Sequence, residues 1–152
     1  MGIGSNLGDK EQNLRMSVQK IEERIGTVVS LSAFYATAPW GFSSENSFLN
    51  AAVCVETDLL PRQVLEETQA IERELGRISK SVAGAYSDRL IDIDLLLYGD
   101  AVINTEKLVL PHPLITERRF VMEPLVEIAP EVLHPVFHKT MKELFTSSFS
   151  LQ

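Results

Sequence analysis

The period of the apolar positions changes several times along the chain. A short apolar start over residues 1–4 gives way to Gly4-Ser5-Asn6-Leu7-Gly8-Asp9, which reads as the end of a first strand and a turn. Asp9 with Gln12 three residues later predicts a helix N-terminus. Leu14, Val18, Ile21 and Ile25 then recur at helical spacing, and Gly26 suits the stop. Residues 27–37 are β-branched and aromatic and predict one strand. Residues 38–47 carry Pro, Gly, Ser and Asn and predict a loop, and residues 48–57 return to strand character. Pro61 predicts the start of a second helix, with Val64, Leu65, Thr68, Ile71 and Leu75 inward and Gly76 ending it. Residues 76–88 show no clear period. Residues 89–98 predict a strand, and Val102-Ile103 and residues 108–110 two short ones. Pro111-His112-Pro113 predicts a rigid corner. A helix is expected over 117–128, constrained by Pro124, and another over 139–146. The order β-α-β-β-α-β is the split pattern of ferredoxin-like α+β folds, an antiparallel sheet with helices packed on one face.

The length of 152 residues predicts a single domain spanning the chain, large enough to bury a core. Hydrophobic residues at 45% and charged residues at 23% argue against disorder. A single cysteine, Cys54, excludes an internal disulfide and a cysteine-rich zinc site, and its apolar strand predicts inert packing. No apolar run reaches the length of a membrane span, so a cytoplasmic location without a membrane partner is expected. The net charge of −7 disfavours nucleic acid. That charge is uneven. Residues 1–72 carry five basic and ten acidic side chains, whereas residues 73–119 carry seven of each. From Arg77 to Ser87 the basic residues Arg77 and Lys80 stand without an acid, so an anion would be handled in this middle third.

The most informative segment is Leu90-Ile91-Asp92-Ile93-Asp94-Leu95. Strand alternation points Ile91, Ile93, Leu95 and Leu97 one way and both aspartates the other. Asp is a poor strand former, and adjacent carboxylates repel unless a cation lies between them. Two readings stand: a solvated polar face, or ligands for a hard divalent ion such as Mg²⁺ carrying nucleotide phosphates. Arg89 and the basic stretch before it favour the second, because carboxylates beside cations are the parts of a phosphoryl-transfer site.

Other candidates are weaker. The glycine loop at residues 4–8 lacks the P-loop spacing and its Lys, and reads as a turn into a capped helix. The aromatics around residues 37–50, with the Asn50 amide, suit a planar lactam such as a pterin or purine, but Phe48 and Phe120 also read as core and Asn50 as a turn. His112 between two prolines reads equally as a phosphate donor or a strand-end cap. His134 and His138 have zinc-like spacing but no third ligand, and read as surface.

Together these pieces resemble the 6-hydroxymethyl-7,8-dihydropterin pyrophosphokinase family. The matching stretches are GSNLGD, YATAPWG, FLNAAVCVET, ETQAIERELGR, DRLIDIDLLLYGD, LPHP and ERRFVMEPLVEIAPE, in family order from residue 2 to about 135. The resemblance implies transfer of the β,γ-diphosphate of ATP to the pterin hydroxymethyl group with release of AMP, in folate biosynthesis. A Mg²⁺-dependent phosphohydrolase is the alternative. By resemblance, Asp92 and Asp94 look like the ligands of two Mg²⁺ ions and, with Arg77 and Arg89, form the catalytic set. Thr37, Pro39, Trp40, Phe48, Asn50 and Phe120 match the pterin site, with Phe48 and Phe120 as the two sandwiching rings. Glu72, Arg77, Lys80, Arg89, Ile93, His112 and Arg118 match positions around ATP. The resemblance also implies a monomer or weak homo-oligomer whose loops at 38–47 and 77–88 close over substrates. The sequence departs from the familiar pattern at Ala85-Tyr86-Ser87-Asp88-Arg89 and at Ser79, where many members carry a second arginine, and its first strand looks clipped.

Overall fold

The computed structural model describes residues 1–37, 48–78 and 90–149, with the side chains of Arg77 and Ile78 left aside. A central strand β1 (Gly2–Ser5) leads through a turn at Gly8, whose φ of 67° is the left-handed region glycine tolerates, into helix α1 (Lys10–Arg24). The Asp9 side chain caps this helix by accepting from the Gln12 amide, as its spacing predicts. Strands β2 (Thr27–Leu31), β3 (Tyr35–Thr37) and β4 (Phe48–Glu56) follow, then helix α2 (Pro61–Ile78) and strand β5 (Asp92–Asp94). Strands β6 (Ile103–Asn104) and β7 (Val109–Leu110) form a separate antiparallel pair. A 3₁₀ turn at Ile115–Glu117 precedes helices α3 (Arg119–Ile128) and α4 (Met141–Phe149).

The main sheet is antiparallel, ordered β2-β4-β1-β5, with β3 continuing along β4. The expected single strand over 27–37 is two strands. Ser32 leaves the ladder to bond Ala52 in both directions, through its backbone N–H to the Ala52 carbonyl and through its hydroxyl oxygen accepting the Ala52 amide. Of the expected strand over 89–98, the described residues pair only at 92–94. The second helix does not stop at Gly76 but runs on to Ile78. A helical glycine costs only about 1 kcal/mol, and Leu75, one residue before it, is anchored in the core.

Helices cover both faces of the sheet, not one. Ile3, Ala51, Val53, Ile91, Ile93 and Leu95 pack with Leu14 and Ile21 of α1 and with Val64 and Ile71 of α2. Ala52 and Leu96 pack on the other side with Met122 and Leu125 of α3 and Met141 and Leu144 of α4. Alternate residues of β4 thus enter different cores, so the sheet is the middle of a three-layer α+β sandwich. Leu97, expected beside Ile93, packs with the α3 core because alternation lapses once β5 ends.

Two side chains lie elsewhere than their surroundings suggested. Cys54 is exposed. It follows Ala52 on a face whose cover ends there, opposite the irregular register between Val28 and Ser30. His134 is buried rather than on the surface. Its Nδ1 accepts from the Val136 and Phe137 amides, and its ring stacks on Phe137 at 4.3 Å between centroids. Burial, and secondarily His138, holds its pKa below the ordinary value.

Candidate functional site

Directly opposed residues of antiparallel strands share a face. The registers Asp92↔Gly4, Gly4↔Asn50 and Asn50↔Tyr35 therefore set Asp92, Gly4, Asn50 and Tyr35 in one row across β5, β1, β4 and β3. The two-residue period adds Asp94, Phe48 and Thr37 to that face, and Thr37 pairs directly with Phe48. Ile93 lies on the other face, 5% exposed in the core under α1 and α2. Both aspartates are half-buried and stand on the same side of the sheet as Asn50. The sequence placed the two carboxylates together. It gave no sign that they share a surface with Asn50 across an intervening strand.

Gly4 makes this arrangement possible. A Cβ at Gly4 would lie 2.6 Å from Asn50 Oδ1, a distance that real Cβ atoms do not show. The Asn50 amide thus occupies the space that any other residue at position 4 would fill. Asn50 is mid-strand and 8% exposed, not in a turn, and its Nδ2 lies 3.4 Å from Thr37 Oγ1. Read only as part of a turn, Gly4 went unnoticed as a site residue. The available signal was a glycine at the last positions of an apolar strand, where close approach of another group is the usual reason.

Phe120 stands in the first turn of α3 and is 39% exposed, so it is not core. The Arg118 guanidinium lies 5.7 Å from its ring centroid. His112 follows the cis Leu110–Pro111 bond and donates its backbone N–H to the Leu96 carbonyl. Its Nδ1 accepts from the Leu114 amide, which leaves Nε2 to carry the proton of the neutral ring. Burial chiefly, and then the Arg118 charge, lowers the His112 pKa, while the Asp92 carboxylate opposes them. With Leu110, Ile115 and Phe137 it lines a mostly apolar hollow of about 290 Å³. His112 thus feels the charges of both Arg118 and Asp92, although the three come from separate segments.

Glu72 reaches from α2 to the outer edge of β5, where its Oε2 accepts the Ile93 amide at 2.7 Å. The strand bearing the aspartates is thereby fixed to α2. Arg77 belongs to the last turns of that helix. Pro39, Trp40, Lys80 and Arg89, with the loops expected to close over substrates, lie outside the described residues. Among the described residues no group of three or more His, Cys, Asp or Glu is placed to hold a metal.

A family model described as 7,8-dihydro-6-hydroxymethylpterin-pyrophosphokinase matches residues 1–130. The chain belongs to this family. A Porphyromonas gingivalis protein named 2-amino-4-hydroxy-6-hydroxymethyldihydropteridine pyrophosphokinase is 47% identical over 136 residues, covering 89% of this chain and 92% of that protein. A relative of the same name from Aquifex aeolicus is 39% identical over 143 residues, covering 94% of this chain and 87% of its own. A Dictyostelium discoideum folic acid synthesis protein is 39% identical over 144 residues, which cover 95% of this chain but 21% of that longer protein. No helix among the described residues of this pyrophosphokinase family member is long and apolar enough to cross a membrane.

Proposed function

We propose that the chain transfers the β,γ-diphosphate of ATP to the hydroxymethyl group of 6-hydroxymethyl-7,8-dihydropterin and releases AMP, a step of folate biosynthesis. The family match and the relatives' names carry the activity, and they lend nothing to the phosphohydrolase alternative. One structural observation carries the assignment of residues. Asp92 and Asp94 share a sheet face with Asn50, and Gly4 alone lies between Asp92 and Asn50 in the row. Acceptors for a cation and an amide for a planar lactam are therefore neighbours, as a transfer between ATP and a pterin requires. The strand order, with β2 and β3 counted as one interrupted strand, also supports a ferredoxin-like reading of the core.

Magnesium suits the donor set. It takes oxygen ligands, and it is commonly held by one or two carboxylates while phosphates and water complete its shell. Asp92 and Asp94 would hold it, and the family resemblance implies two ions. When bound there, magnesium would supply neutralisation of phosphate charge and a lowered pKa for the attacking hydroxyl.

The remaining work falls to side chains that bind and orient. Asn50 presents a donor and an acceptor to the pterin edge, braced by Thr37. Phe48 from β4 and Phe120 from α3 flank the ring, and Pro39 and Trp40 are assigned to the pterin by the family resemblance alone. Arg77, Arg89, Lys80, Arg118 and neutral His112 donate to phosphate oxygens. Glu72 and Ile93 fix the strand edge beside the nucleotide. Holding the hydroxyl in line with the β-phosphorus supplies most of the rate, as in other phosphoryl transfers, and loops closing over the substrates exclude water. The protein is expected to act in the cytoplasm as a monomer or weak homo-oligomer.

The test is to incubate the protein with MgATP, with and without the pterin, and to identify the nucleotide product. AMP that appears only with the pterin is expected, and Asp92→Ala and Asp94→Ala should each abolish it while the protein stays folded. ADP or phosphate released without the pterin would overturn the reading. Normal AMP release by both variants would overturn the metal assignment.

A further inference from the structure

Helix α3 is tied to β3 by one carboxylate. Glu127 accepts the Ala33 amide on both oxygens, at 3.2 and 3.1 Å, and the Tyr35 hydroxyl on Oε1 at 2.6 Å. Ala33 lies in the break between β2 and β3, where four steps from Leu31 to Tyr35 span three on β4, from Val53 to Asn50. The break therefore carries an extra residue, and such an irregularity leaves the aim of the following strand to local contacts. Tyr35 is the direct cross-strand partner of Asn50 and lies two residues from Thr37 on the same face. On α3, Glu127 lies seven residues after Phe120, two turns along and on the same side of the helix. The carboxylate thus joins the helix that bears Phe120 to the strands that bear Thr37, Phe48 and Asn50.

We propose that Glu127, acting through Tyr35 and the Ala33 backbone, is a positioning residue that sets the width of the pterin slot between α3 and the β3–β4 face. This rests on the pterin reading above. Glu127 touches neither substrate. Its bonds are exposed, so they add little to overall stability while fixing one geometry. The same contact pushes the Tyr35 phenol up to about 12. The hydrogen bond to Glu127 is the chief cause, followed by burial and by the Glu127 and Glu123 charges.

The test compares Glu127→Ala, Tyr35→Phe, Glu127→Gln and the Glu127→Ala/Tyr35→Phe double variant with the unsubstituted protein. Tyr35→Phe should raise KM for the pterin roughly fivefold to tenfold, the value of one lost hydrogen bond, and Glu127→Ala, which also frees the Ala33 amide, at least as much, with KM for ATP nearly unchanged in both. Melting temperatures should stay within about 3 °C. The double variant should be little worse than Glu127→Ala, because both act through one contact. Glu127→Gln keeps an acceptor oxygen and should recover most of the loss. An unchanged pterin KM, or equal rises for both substrates, would overturn the proposal. A separate readout keeps it distinct from the activity: difference absorbance at 295 nm near pH 10.5 should show more ionised tyrosine, by up to one of the three, in Glu127→Ala than in the unsubstituted protein, and Tyr35→Phe should assign that difference to Tyr35. If the unsubstituted protein lacks pterin-dependent AMP release, the functional reading fails and the tie is judged on this spectrum, where no difference overturns it.

Discussion

Gly4→Ala is the sharpest probe of the site, because its effect should be confined to one neighbour. The new methyl carbon would stand 2.6 Å from Asn50 Oδ1. Position 4 has no left-handed backbone, so alanine itself is not strained there. What gives way is the Asn50 side chain, which must rotate off its place beside Thr37. A rotation of about 30° from a rotamer costs roughly 0.5–1.5 kcal/mol. Two misaligned hydrogen bonds to the lactam edge cost about 1–3 kcal/mol together, or roughly five- to 150-fold in pterin affinity. The fold loses less, since alanine in place of glycine restricts the unfolded chain by about 0.4–1 kcal/mol and offsets part of the crowding. Calorimetric titration of the pterin in the presence of a non-hydrolysable ATP analogue measures the first quantity, and titration of the analogue alone gives the control. Asn50→Ala should weaken the pterin by a similar factor, and the double variant should add little. Pterin affinity within about twofold of the original in Gly4→Ala would refute the view that Asn50, aimed across Gly4, reads the pterin.

Other glycines should separate by their surroundings. A Cβ at Gly26 would lie 1.9 Å from the Glu56 carbonyl oxygen, which cannot yield as a side chain can, so Gly26→Ala should cost about 3 kcal/mol or more and lower Tm by roughly 6–12 °C. Gly76 has nothing within 4 Å of its Cβ position and lies in a helix, so Gly76→Ala should raise stability by about 0.5–1 kcal/mol in the same melts. Buried His134 and half-buried His112 set a pH trend. With the pKa values of His112 and His134 below 6.5 in the folded state, the unfolded chain binds the extra protons first. Their contribution is therefore full above about pH 6.5 and is lost as pH falls through that value toward the folded pKa values. Tm should drop between pH 7.5 and 5.5, and His134→Gln should flatten the slope. A Tm that rises on acidification would contradict it. Glu74, held below its usual pKa of 4.5 chiefly by the Lys20 hydrogen bond and also by Arg24, acts only at lower pH.

Much of this was legible in the residues, for reasons that differ by element. Asp9 and Gln12 announced α1 because capping is a local event. The Asp92/Asp94 pair announced its own face because strand alternation is equally local. The break at Ser32 was hidden, since a β-branched run looks the same whether it pairs continuously or is interrupted, and only the Ala52 partner decides. The second helix layer was hidden for a similar reason. Ala52 and Leu96 are as apolar as Ala51 and Leu95, and a strand buried on both faces loses the alternation that would have revealed it. His134 looked like surface because the donors that satisfy it are backbone amides, which sequence does not display. Gly4 and Glu127 were missed because what each does depends on a residue about 46 or 92 positions away.

The Glu72 contact also bears on the edge of the sheet. Among the described residues strand β5 ends the sheet, and an outermost strand invites pairing by any foreign segment with unsatisfied amides. A carboxylate from α2 already occupies the outward amide of Ile93, at the midpoint of that short border. An intruding strand would have to displace a charged oxygen to reach that amide. The border that carries the two aspartates thus offers one amide fewer to any added strand.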